Sequence, residues 1–181
     1  SIKLVGNHIV NAVNQPDEKD HDALMFAGML AGIGFGNAGC HLPHGMSYAV
    51  AGLVKDYKPA GWPSEKPIVP HGISVILNSP AVFRKTGPAC VEKHWNVANA
   101  MGAEIENIKM EDSGKILADL IIKMMKETGI PNGLNGVGYS TNDLDALTDN
   151  SYLQKRLIDN APFSVSREEL KNIFNDAMSY W

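Results

Sequence analysis

The chain has 181 residues, 44% of them hydrophobic and 20% charged, with a formal net charge of -4. That length fits one domain on a scale of ~100–200 residues per domain, and the composition is that of a chain with a core, not of a disordered segment. The acidic balance argues against a nucleic-acid binder, which presents a basic face, and no apolar run approaches the ~20 residues of a membrane helix.

In chain order, residues 1–8 lack both an initiator Met and the apolar core of a secretion signal, so a piece of a longer polypeptide is expected. Residues 20–35 are apolar on most sides and predict a buried helix. Gly34-Phe-Gly-Asn-Ala-Gly39 matches the G-x-G-x-x-G dinucleotide fingerprint. That motif needs a strand before it. Residues 23–32 lack β-branched side chains and read as helix instead, and Asp56 downstream lies in no second-strand pattern. Gly28, Gly32, Gly36 and Gly39 are better read as a ridge that admits a close neighbour.

Residues 73–77 hold the only β-branched density, too isolated to make a sheet. Residues 91–101 predict a helix with Val91, Trp95, Ala98 and Met101 on one side. Ile116, Leu117, Leu120, Ile121 and Met124 share one helical face, with Ser113 as expected N-cap and Gly129 as stop. Ser140 to Asp143 opens a short helix carrying Leu144 and Leu147. Ser166-Arg-Glu-Glu169 is a capping box before Leu170, Ile173, Phe174, Ala177 and Met178. Loops are expected at 15–20, 59–67, 84–90, 132–140 and 159–162. One all-α domain, a helical bundle over 1–181, follows.

Cys40 and Cys90 are the only cysteines, too few for a disulfide scaffold, and favour a reducing, intracellular compartment. No nucleophile elbow or phosphate-binding loop is present. Of six histidines, two share a setting: Leu42-Pro-His44-Gly45 and Val69-Pro-His71-Gly72. A histidine between Pro and Gly sits at an element end with a fixed direction, which suits a metal ligand. Capping or plain hydrogen bonding is the alternative. Two imidazoles are also fewer than the three protein ligands usual at a catalytic ion. His41 is a third candidate, equally readable as a supporting or structural group. Tyr48, four residues past His44, falls one turn along the same helical face.

Residues 31–48 and 69–83 resemble the iron-containing alcohol dehydrogenase family, and within it the hydroxyacid–oxoacid transhydrogenase branch. Leu117-Ala-Asp119, Gly136-Val-Gly-Tyr-Ser140 and Ala161-Pro-Phe163 extend the likeness over nearly the whole chain. The resemblance implies the dehydroquinate synthase-like fold of the family's C-terminal helical domain, the N-terminal nucleotide-binding domain being absent from this chain. It implies Fe²⁺, or Zn²⁺, held by one Asp and three His, of which His44 and His71 match two. The stretch that supplies the others is expected just before the start of this chain. NAD(P) would be bound mainly by the missing domain, and no residue here is assigned to it.

The implied reaction passes hydride between an alcohol or hydroxyacid, such as 4-hydroxybutyrate, and a nicotinamide cofactor or 2-oxoacid. Many members carry His where this chain has Tyr48. A phenol of pKa ~10 is a poor proton carrier near neutrality, so Tyr48 is expected to orient substrate or nicotinamide, and His41 to carry the proton. The 181 residues alone are expected to be inactive. The expected partners are a small-molecule substrate, the missing domain and a second copy in a homo-oligomer, with no nucleic acid and no membrane. Location would be mitochondrial in a eukaryote and cytoplasmic otherwise. The competing reading is a non-catalytic helical module that binds a partner protein through its exposed cleft face.

Overall fold

The computed structural model describes residues 1–105 and 108–181, and among them every regular element is helical. Two helices, α1 (Ile2–Asn14) and α2 (Glu18–Ala38), form an antiparallel hairpin. Asp17 caps α2, its carboxylate accepting the Asp20 amide at 2.7 Å. Asp20 is only 5% exposed. It accepts hydrogen bonds from His8 Nδ1 at 2.5 Å and from the Asn11 amide, both on α1. At the other end of the hairpin the Ser1 hydroxyl donates to the Ala27 carbonyl at 2.8 Å.

After α2 the chain turns at Gly39, whose φ of 74° is a left-handed conformation that suits glycine. The Asn160 side chain donates to the carbonyls of Ala38 and Cys40 and holds that turn. Helix α3 (Leu42–Gly52) follows, with Pro43 in its first turn. Then come α4 (His71–Ile76), α5 (Ser79–Thr86), α6 (Val91–Ala100) and α7 (Ser113–Glu127). The chain closes with α8 (Leu144–Tyr152), α9 (Lys155–Ile158) and α10 (Arg167–Asp176).

The core lies among α3, α5, α7, α8 and α10. Leu42, Met46 and Val50 enter it from α3, Leu117 and Met125 from α7, Leu147 from α8, and Leu170 and Phe174 from α10. Each such side chain contributes roughly 1.5–3 kcal/mol when taken out of water. The inward spacing 42, 46, 49, 50 on α3 leaves positions 44 and 48 on its other side, which fixes where His44 and Tyr48 project.

The helices around 91–101, 113–128 and 166–178 appear where the periodicity places them, and both caps of the Ser166 box are made. Four expectations need correction. Residues 73–76 belong to α4, with Leu77 its C-cap, and not to a strand. Helix α5 runs to Thr86, into the expected loop at 84–90, because Phe83 and Thr86 pack inward. Ser113 is not the cap of α7 but its first residue, buried and with its hydroxyl unpartnered. Most importantly, α2 is a helix but not a buried one. Only Asp20 and Ala27 are buried, and Met29, Ile33 and Phe35 are 55%, 60% and 57% exposed. Its apolar character is uniform, but α1 covers one side alone, and only the first half of that side.

Candidate metal and substrate site

His44 is the third residue of α3 and His71 the first of α4. These two helices pack against each other. The packing brings the two imidazoles together, with ring centroids 5.4 Å apart and planes inclined by 59°. Two imidazoles that share a tetrahedral ion through bonds of about 2.1 Å have ring centres about 5 Å apart. The separation therefore fits a common ion.

The two sites share a sequence pattern, set two positions apart relative to their helix starts. Pro43 is the second residue of α3 and Pro70 the N-cap of α4, positions where a fixed φ and a missing N–H cost nothing. Three residues after each histidine stands a buried serine. The Ser47 hydroxyl donates to the His44 carbonyl, and the Ser74 hydroxyl to the His71 carbonyl, both at 2.8 Å. Each histidine backbone is thus tied to its own helix by an internal side chain. Sequence reasoning stopped at Pro-His-Gly and missed the serines, although the repeated unit is Pro-His-Gly-x-Ser.

His44 is half-buried, and burial, reinforced by the neighbouring His71, pushes its pKa below the ordinary histidine value. A neutral imidazole keeps a free lone pair for a cation. His71 is exposed. Among the described residues no third His, Cys, Asp or Glu completes a metal cluster with them.

His41 lies just before α3, and its side chain lines a different space. This is a cleft of ≈ 620 Å³, walled by Ile2, Phe83, Val97, Leu117 and Ile121 among others, with Lys93 and Asn160 also contributing. His41 Nδ1 is buried there without a hydrogen-bond partner. Burial, then His94 and His44, depress its pKa. His94 shares the cleft, but both of its ring nitrogens are engaged. Nδ1 donates to the Cys90 carbonyl at 2.9 Å, and Nε2 accepts from Thr86 Oγ1 at 2.8 Å. Tyr48, 52% exposed, stands one turn beyond His44. The structure therefore joins His44 and His71, sets Tyr48 beside them on α3, and turns His41 towards the adjoining cleft.

Residues 1–178 match the family described as "Fe-containing alcohol dehydrogenase family, C-terminal". The chain belongs to that family. The mitochondrial hydroxyacid–oxoacid transhydrogenase of Xenopus tropicalis is 40% identical over 182 residues, covering 100% of this chain and 39% of that protein. The probable mitochondrial enzyme of the same name from Dictyostelium discoideum is 41% identical over 183 residues, covering 100% of this chain and 34% of that protein. The chain thus spans well under half the length of these relatives. Among solved structures, a 1,3-propanediol oxidoreductase superposes with a TM-score of 0.83 at 24% identity, over 97% of this chain and 43% of that one. An alcohol dehydrogenase from Oenococcus oeni superposes at 0.84 with 22% identity, over 97% and 43%. The all-helical fold is that of the family's C-terminal domain.

Proposed function

We propose that this chain is the C-terminal, metal-holding part of an oxidoreductase that moves hydride between a hydroxyacid and a nicotinamide or a 2-oxoacid. The observation that carries the reading is the approach of His44 and His71 to 5.4 Å from two separate helices. In this reading both imidazoles are ligands of one divalent ion, Fe²⁺ or Zn²⁺, for which imidazole is a suitable donor. The remaining donors come from elsewhere in the longer polypeptide, as does the surface for NAD(P). The ion, when bound, would act as a Lewis acid on the substrate oxygen.

The residues of this chain then have defined tasks. Ser47 and Ser74 hold the two histidine turns in register, so that the ring pair is built before anything binds. Tyr48 presents a phenol on the outer face of α3, where it orients substrate or nicotinamide by hydrogen bonding. His41, one turn before His44 and facing the adjoining cleft, is the candidate to carry the substrate proton away from the ion, and not to touch the substrate at the His44–His71 pair. The hydroxyacid substrate class rests on the transhydrogenases at about 40% identity. A mitochondrial location in a eukaryotic cell rests on the same relatives, which are named mitochondrial.

The test is turnover by the full-length polypeptide with deuterated 4-hydroxybutyrate and 2-oxoglutarate. Deuterium is expected at the new carbinol carbon of 2-hydroxyglutarate, with loss of activity in a chelator and recovery with Fe²⁺ or Zn²⁺. Absence of deuterium transfer under metal-replete conditions would refute the substrate class.

A further inference from the structure

We propose that Arg156 is the residue by which this site prefers acids to plain alcohols, its guanidinium receiving the carboxylate that stands three carbon–carbon bonds from the reacting carbon of the substrate. The assignment rests on the hydroxyacid reading above and deepens it by naming how that class is recognised. In 4-hydroxybutyrate the carboxylate lies three such bonds from the carbinol carbon. In 2-oxoglutarate the far carboxylate lies the same three bonds from the carbonyl carbon. One cation at one position therefore serves both the hydride donor and the hydride acceptor.

Within Leu42–Val50 of α3, His44 and Tyr48 alone escape burial, one turn apart on one face. The His44 ring meets His71 of α4. The next residue, Gly45, meets α9 instead: a Cβ placed on it would lie 3.4 Å from Leu157 Cβ and 3.1 Å from Ile158 Cδ1. Beyond α9, the Asn160 side chain donates to the Ala38 and Cys40 carbonyls at 3.3 and 3.1 Å. Residues 157–160 thus run antiparallel to residues 38–45. One step back along this run from Leu157 leads towards the α3 turn of Tyr48, and the residue there is Arg156. With about 3.8 Å between neighbouring Cα atoms and Leu157 in contact with Gly45, the Arg156 Cα lies no more than about 14 Å from that of His44. An ion, a four-carbon acid and an arginine side chain placed end to end span such a gap.

The charges on α9 agree. Leu157 and Ile158 are buried and give the helix a fixed seat, whereas Lys155 and Arg156 are exposed. Lys155 is engaged, its ammonium 3.5 Å from the centre of the Tyr152 ring. Of the arginines, Arg84 pairs with Asp119 and Arg167 with Asp145 and Asp149, while Arg156 pairs with no carboxylate among the described residues. A planar guanidinium offers a carboxylate two parallel N–H donors and stays charged at every working pH, whereas lysine offers only a point charge. The competing cation is Lys66, on the exposed loop ahead of His71.

Steady-state kinetics of the full-length, metal-replete polypeptide test this, with 4-hydroxybutyrate and 2-oxoglutarate varied in turn. In Arg156→Gln both KM values are expected to rise at least ten-fold with kcat within three-fold of wild type, the mark of lost binding that ground and transition states share. Arg156→Lys should recover part of that loss, and Lys155→Gln and Lys66→Gln should stay within two-fold of wild type. Succinate, whose two carboxyl carbons have the same spacing, gives a readout free of turnover: it should raise the melting temperature of the wild type and not that of Arg156→Gln. Unchanged KM values in Arg156→Gln, a rise for one substrate alone, a retained succinate effect, or the ten-fold loss in Lys66→Gln would each overturn the assignment and leave the hydroxyacid reading standing. A wild type that passes no hydride between the two acids would overturn that reading and this assignment together.

Discussion

The Tyr139 hydroxyl donates to the Val50 carbonyl at 2.7 Å and so closes the last turn of the helix that carries His44. Val50 lies in that last turn, where a carbonyl has no helical amide to accept from. Both residues are buried, and Tyr139 is raised to about 12 by burial, with Asp143 adding to the effect. Eighty-nine residues separate the pair, so a C-terminal loop stabilises the helix that bears the site.

Tyr139→Phe should therefore lower stability by about 1–2 kcal/mol, because it strips a buried carbonyl of its donor while keeping the ring. Urea unfolding of wild type and variant measures this. The metal content should be unchanged, since His44 keeps its place through Ser47 and the core residues of α3.

A second prediction separates His94 from the His44–His71 pair. Its two nitrogens are spent on Thr86 and Cys90, and its ring packs edge-on against Phe83 at 5.6 Å. His94→Ala should destabilise the fold by about 2–3 kcal/mol through lost packing and two lost side-chain hydrogen bonds. Bound metal, measured by elemental analysis of the full-length polypeptide, should stay at the wild-type ratio. Loss of metal in a well-folded His94→Ala protein would assign it a role that its hydrogen bonds do not indicate.

The hairpin gives a pH prediction. The His8 hydrogen bond, then that of Asn11, lowers the Asp20 pKa below the ordinary carboxylate value near 3.8. A carboxyl depressed in the folded state contributes stability above its unfolded pKa and loses that contribution as pH falls through its folded pKa. Protection of the α1 amides against hydrogen exchange should thus decline below about pH 4 as Asp20 is protonated. Asp20→Asn should show weaker protection at pH 6 and little further change on acidification. A wild-type protection factor that stays flat from pH 6 to pH 3 would contradict this.

The close crossing of α5 and α7 gives a fourth. A Cβ on Gly114 would lie 2.6 Å from the Phe83 carbonyl oxygen and 2.7 Å from Gly87 Cα, all backbone. Gly114→Ala should cost about 1–3 kcal/mol although alanine is the better helix former. Thermal unfolding checks the sign.

Much of this was legible in the sequence because the deciding residues are local. Leu117, Ile121 and the Ser166 box announce their helices by spacing alone. The Pro-His-Gly pair marked two fixed imidazoles, and the fold turned that marking into a distance. What was not legible is what non-local contacts decide. The uniform apolarity of 23–38 says that α2 needs cover on several sides, but not that one half of one side has it here. Nothing near His41 in sequence reveals that Phe83, Thr86 and Leu117 wall its cleft. Ser113 reads as a cap by residue type, but the 3₁₀ turn before it moves the helix start and buries the hydroxyl.

The central claim is that His44 and His71 hold one ion. Its most direct test is the metal content of full-length His44→Ala, His71→Ala and the double variant, each loaded with Fe²⁺ or Zn²⁺, dialysed, and confirmed as folded by circular dichroism. One equivalent is expected in the wild type and less than a tenth of that in each single variant, with no further loss in the double. Full occupancy in either folded single variant would contradict the account.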